Sequence, residues 1–185
     1  MVDTLVLPDS SVLINILATQ QAAEVLRVFR AGAGICAAVE GETLFLRSEA
    51  PSTPVERISL DSLLADGLLQ RHDLRDEAEQ ALYVELAADL DDGEAMTLAI
   101  AHRRGFAAAT DDRKARRIAK QRFGDELVLL RTTDVIHCWA SIARPQKAIL
   151  RGLLRRIERI ACYVPAKDDP LREWWADLVD SFVAH

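Results

Sequence analysis

Five short apolar runs, each followed by a segment of helical pattern, constrain this chain more than anything else. They fall at residues 4–7, 34–39, 68–72, 106–110 and 127–131. Runs this short and continuous read as strands buried on both faces, and alternation with helices means parallel pairing through crossovers. The expected architecture is a three-layer α/β/α fold with a central parallel sheet of about five short strands. Helices are expected at residues 12–17 and on through the apolar positions after Gln20, at 41–47, 75–90, 94–104, 112–121 and 134–143. Ser10 or Ser11 is expected to cap the first helix, and Gly105 to end the one before it. Two more helices, 145–162 and 170–183, follow. This gives one α/β domain over 1–143 and a C-terminal helical extension over 144–185, packed on the same domain.

Composition narrows the function classes. The 185 residues suit one domain with a full core. Nothing approaches the roughly 20 apolar residues a membrane span needs, and the opening residues lack the features of a signal peptide. Cys36, Cys138 and Cys162 are odd in number and form no CxxC pair, and the four histidines are not ligand-spaced. A disulfide framework and a zinc site are therefore not expected, and a cytoplasmic location is. A net charge of −6 excludes a general nucleic-acid coat. The charge is segregated, however: residues 73–94 hold nine acids and one base, whereas 113–122 hold six bases and no acid. A local positive surface for phosphate is compatible with that.

The acids matter by position. Parallel strands with right-handed crossovers place all their C-terminal ends on one edge, where open α/β sheets bind ligands. Asp9 follows the first strand, Glu40 and Glu42 the second, and Asp111 and Asp112 the fourth. Glu94 stands in the first turn of the helix leading into the fourth strand. Taken singly, each acid is most simply a helix cap or a dipole-favoured first-turn residue. Taken together, they form a carboxylate cluster whose mutual repulsion a divalent cation would relieve. An all-oxygen donor set selects Mg²⁺ or Mn²⁺, and that chemistry points to phosphodiester hydrolysis.

Three stretches carry a family resemblance. LPDSSVLIN resembles the opening of PIN domains, LDDGEAMTLAIA resembles their GEA helix, and AAATDDRKARRIA resembles their strand-end T-x-D or DD-R segment. Gly41-Glu42-Thr43-Leu44 is similar to the family's GE-x-L pattern and favours Glu42 over Glu40 as its second acid. The resemblance implies that Asp9, Glu42, Glu94 and Asp112 are catalytic metal ligands, direct or through water. Asp111 competes for the last position, and Ser11 supplies an orienting hydroxyl. It implies an endoribonuclease dependent on Mg²⁺ or Mn²⁺, with RNA as substrate and, in a VapC-type toxin, a cognate antitoxin as partner. The alternative is a non-catalytic PIN-like module that binds RNA or protein. A receiver-like fold also gathers acids at strand ends, but needs a lysine where this chain has Arg131-Thr132-Thr133. Pro8 directly before Asp9 and the length of the tail depart from the compact pattern.

The basic helix after Asp112 offers Arg113 and Arg116 for substrate phosphate, or else a solvated face bridged to the acidic helix. In the tail, Arg144, Lys147, Arg151, Arg155 and Arg159 form a stripe opposite an apolar face, as a docked surface helix does. Trp174, Trp175 and Phe182 exceed what such a tail must bury, which leads to the expectation of a homodimer.

Overall fold

A computed structural model describes residues 3–42, 45–47 and 55–180. The chain begins with β1 (Val6–Pro8), α1 (Ser10–Ala18), α2 (Ala22–Leu26), β2 (Ala33–Cys36) and α3 (Ala37–Gly41). A hairpin of β3 (Phe45–Arg47) and β4 (Val55–Arg57) precedes α4 (Asp61–Ala65), β5 (Leu69–His72) and α5 (Glu77–Ala87). Next come α6 (Asp92–Arg104), β6 (Ala107–Ala109), α7 (Arg113–Phe123), β7 (Leu129–Leu130) and α8 (Thr132–Ala143). The tail holds α9 (Lys147–Arg156), a π-helical turn (Ile157–Ala161) and α10 (Arg172–Asp180).

Five of the strands form one all-parallel sheet in the order β5-β2-β1-β6-β7, flanked by helices. The α/β/α reading of the sequence holds. The order reverses direction between β1 and β6: chain growth proceeds outward through β2 on one side and β7 on the other. Crossovers on either side of such a point leave the sheet on opposite faces, so a crevice opens at the C-terminal ends of β1 and β6. Asp9 and Asp112 stand there. The core explains why these strands are short and apolar: Leu7, Ile35 and Ala107 to Ala109 are wholly buried between helices. Small residues serve β6 because α6 lies against it, presenting Ala95, Leu98 and Ala99, all buried. At Gly105 the backbone turns left-handed (φ 65°) and ends α6, as expected of glycine at that position.

Two local expectations fail. The first helix is capped by Asp9, not by Ser10 or Ser11; the Asp9 carboxylate accepts the Val12 N–H at 2.8 Å. Aspartate caps as well as serine does, and strand β1 ends one residue earlier than a serine cap requires. The helix expected at 41–47 is instead α3, which stops at Gly41, followed by β3 in antiparallel register with β4 (Leu46 opposite Glu56). Long-range packing decides this, since β3 rests on the π-helical turn of the tail. The turn expected at 50–54 lies outside the described residues.

The tail closes on its own chain. The π-helical turn packs on α1, where the Arg156 guanidinium donates to the Ala18 carbonyl at 3.1 Å. Trp175 is 2% exposed and its indole N–H donates to Glu158 at 2.9 Å, while Trp174 meets the His137 ring edge-on. Trp175 is thus buried within its own chain, whereas Trp174 stays partly exposed. Phe182 lies outside the described residues. The basic helix is bridged to the acidic one, through Arg122 and Glu85. Among the described residues no helix is long and apolar enough to cross a membrane.

Candidate active site

Three helices begin at the crevice, and each is capped by an aspartate: Asp9 for α1, Asp91 for α6 and Asp112 for α7. Capping satisfies free N–H groups and sets negative charge on the positive helix ends. It also fixes where the carboxylates sit. One oxygen of Asp112 accepts the Ala115 N–H at 2.7 Å, and one oxygen of Asp91 accepts the Glu94 N–H at 2.8 Å.

Asp9 is 3% exposed. The Ser11 hydroxyl donates to the same oxygen that caps α1, at 2.8 Å, and the Thr110 hydroxyl also bonds the carboxylate. Burial is the main reason its pKa rises from near 4 to about 6, with Asp111 adding repulsion. Glu94 is pushed to about 7, first by burial and then by the charges of Asp91, Asp112 and Asp9. The electrostatic coupling joins Asp9, Glu94 and Asp112 as one cluster.

Glu42 enters from the far side of β1. It follows α3 directly, and its carboxylate accepts the Ser10 hydroxyl. Its other oxygen fills the space where a side chain at Gly93 would stand. Glu40, the competing choice, lies away from this cluster in a two-pronged ion pair with Arg71 at 2.7 Å. A cavity of about 400 Å³ flanks Glu42 and is lined by Arg57, Ser59 and Leu60.

Asp111 does not face the cluster. The Thr132 N–H and hydroxyl donate to its two oxygens at 3.0 and 2.5 Å, Asn15 donates at 3.2 Å and Tyr163 at 3.3 Å. These bonds tie the end of β6 to α1, α8 and the tail. Arg116 is also structural: its Nη1 donates to the Thr110 and Leu130 carbonyls at 2.9 and 2.8 Å, lacing the ends of β6 and β7 together. That use anchors one end of its guanidinium at the strand ends. Arg113, by contrast, is exposed beside Asp112.

Sequence reasoning missed Ser10, Asn15, Thr110 and Tyr163. Asn15 had a signal, being a polar residue on the apolar face of α1. Tyr163 had none, because 52 residues separate it from its partner.

Among the described residues, no three His, Cys, Asp or Glu side chains converge tightly enough to hold an ion as they stand. The donor set nevertheless fits a hard divalent cation. Every donor is oxygen, burial and crowding raise the pKa of Asp9 and Glu94, and Glu42 and Asp112 are exposed enough to turn inward.

The family model described as PIN domain matches residues 5–123, which includes Asp9, Glu42, Glu94 and Asp112. No curated protein and no solved structure gives a significant match. The matched span covers well over half of the chain, and the chain belongs to the PIN-domain family.

Proposed function

We propose that the protein is an endoribonuclease dependent on Mg²⁺ or Mn²⁺, with Asp9, Glu42, Glu94 and Asp112 as the residues that hold the ion. The observation that carries this reading is the shared electrostatics of Asp9 and Glu94, whose pKa values rise to about 6 and about 7 in a site made only of oxygen donors. PIN domains are generally nucleases, and the acids here lie within the matched span. A bound divalent cation would supply an acidified water and charge neutralisation at the phosphate.

The chain's own residues have separate tasks. Asp9 is oriented by Ser11 and Thr110, and Glu42 by Ser10. Glu94 is held by its place in the first turn of α6. Asp112 uses one oxygen as a cap and keeps the other for the site. The choice between Asp111 and Asp112 falls on Asp112, since Asp111 is consumed by Thr132, Asn15 and Tyr163.

The toxin of a VapC-type pair is the finer reading, with a cognate antitoxin as partner; a small linked reading frame encoding a DNA-binding protein, if found upstream, would support it. The second reading is a PIN-like module that binds RNA without cutting it. It draws on the capping roles of Asp9, Asp91 and Asp112, which would persist without catalysis. Cleavage of a fluorescent single-stranded RNA separates the two. Chelator should stop cleavage, and Mn²⁺ or Mg²⁺ should restore it. Cleavage that continues in excess chelator and survives the double change Asp9→Asn, Glu94→Gln would sink the proposal.

A further inference from the structure

Beside Asp111 a cleft of about 950 Å³ runs along α7. One wall is the α7 face bearing Arg113, Arg116, Arg117 and Lys120, spaced so that all four share a side of the helix. From Arg113 to Lys120 this face extends roughly 10 Å, longer than one phosphate requires. The facing wall comes from the approach to β7 and from tail residues 162–169, which lie outside the span matched by the family.

Four acids also line the cleft, and each is already engaged. Asp111 is held by Thr132 and Tyr163, Asp125 pairs with Lys120, Asp168 pairs with Arg131, and Asp169 accepts from Thr133 and Leu171. Arg116 is anchored on strand-end carbonyls. Arg113 and Arg117 remain exposed, and neither has a hydrogen bond or ion pair among the described residues. Val128 and Val164, on the other wall, are 46% and 62% exposed. Unmatched guanidinium groups facing bare apolar side chains suit a ligand with anionic edges and flat apolar faces, rather than a simple ion.

We infer that this cleft seats the RNA strand flanking the cleaved bond, with phosphates on Arg113 and Arg117 and a base or ribose against Val128 and Val164. The inference rests on the nuclease reading for its ligand and uses different residues. The arginine pair starts one residue after Asp112, at the end of α7 nearest the acids. Tail residues thereby become part of substrate choice.

The test is binding of a fluorescent ten-nucleotide single-stranded RNA in chelator, with melting curves to verify folding. For Arg113→Gln/Arg117→Gln the dissociation constant should rise about tenfold, and the slope of log affinity against log salt should shrink by about 1.4, the loss of two phosphate contacts on a single strand. Val164→Glu, on the facing wall, should also weaken binding severalfold. The control Arg27→Gln/Arg30→Gln, at the opposite sheet edge, should match wild type. An unchanged affinity in the arginine pair overturns the inference. An effect of the arginines with none from Val164→Glu also overturns it, since the strand would then lie on the helix surface outside the cleft. So does 5′-AMP binding as tightly as the oligomer, which would mark a site for free nucleotide. Wild type that binds RNA in this way but cuts none upholds the cleft and removes the nuclease reading. Wild type that cuts RNA while the variants bind normally does the reverse.

Discussion

Glu42 and Gly93 interlock: a Cβ on Gly93 would overlap the Glu42 carboxylate and press to 3.2 Å from a Val39 methyl. Gly93 is the second residue of α6, where glycine costs at most about 1 kcal/mol relative to alanine. The helix thus gives up local stability at the one position where a side chain would displace the second acid.

Gly93→Ala should therefore separate stability from activity. Because the displaced atom is the end of a flexible side chain, the fold should stay within about 1 kcal/mol of wild type, helix propensity offsetting the crowding. Cleavage should fall by about tenfold or more, as misplacing a catalytic group commonly costs. Urea melts and initial rates on one RNA measure both, and a fully active Gly93→Ala would show that Glu42 need not occupy this place.

Asp9→Asn should abolish cleavage without destabilising the metal-free protein. Asparagine caps a helix about as well as aspartate, and the change removes a charge from a repelling cluster. Asp9→Ala, which loses the cap, should cost about 1 kcal/mol more. If both variants melt alike in chelator, the cap contributes nothing.

The pH dependence has a definite sign. Asp9 and Glu94 have folded pKa values raised to about 6 and about 7, so between pH 4 and 7 the folded state holds more protons than the unfolded one. Stability without metal should then fall as pH rises through that window. A divalent cation should oppose the fall, and cleavage should rise with pH over the same range. Denaturant titrations at several pH values, with and without Mn²⁺, check this; a metal-free stability that climbs from pH 4 to 7 would contradict it.

Glu79 and Arg104 provide a prediction away from the site. Their ion pair, 2.7 Å long with side chains 4% and 8% exposed, joins α5 to α6, and Arg104 also donates to the Asp73 carbonyl. Arg104 holds the Glu79 carboxyl below its ordinary value. Glu79→Gln leaves a buried guanidinium without its counter-charge and should cost about 3 kcal/mol. That loss should shrink as acid protonates Glu79 in wild type, which urea melts at pH 7 and pH 3 would record.

The parallel sheet was readable because each strand is a short apolar run bounded by a helix start or a glycine, and such patterns are local. The strand ends also carry Asp9 and Asp112, whose places as helix caps follow from that pattern. What sequence could not convey was side-chain direction. Asp111 and Asp112 are adjacent and chemically identical, yet one turns to Thr132 and the other caps α7. The hairpin Phe45–Arg47 with Val55–Arg57 was invisible for a related reason. Its residues could form a helix, and the support that makes them a strand comes from the tail more than a hundred residues later.

That distance also sets an order in time. Tyr163 reaches back to Asp111, and Arg156 to Ala18, across 52 and 138 residues. Chains are made from the N-terminus at roughly 5–20 residues per second. The strands and all four acids therefore leave the ribosome seconds before the segment that braces their edge. A nascent chain halted before Arg156 should hold its acids on an unbraced sheet edge, more open to protease than the finished protein.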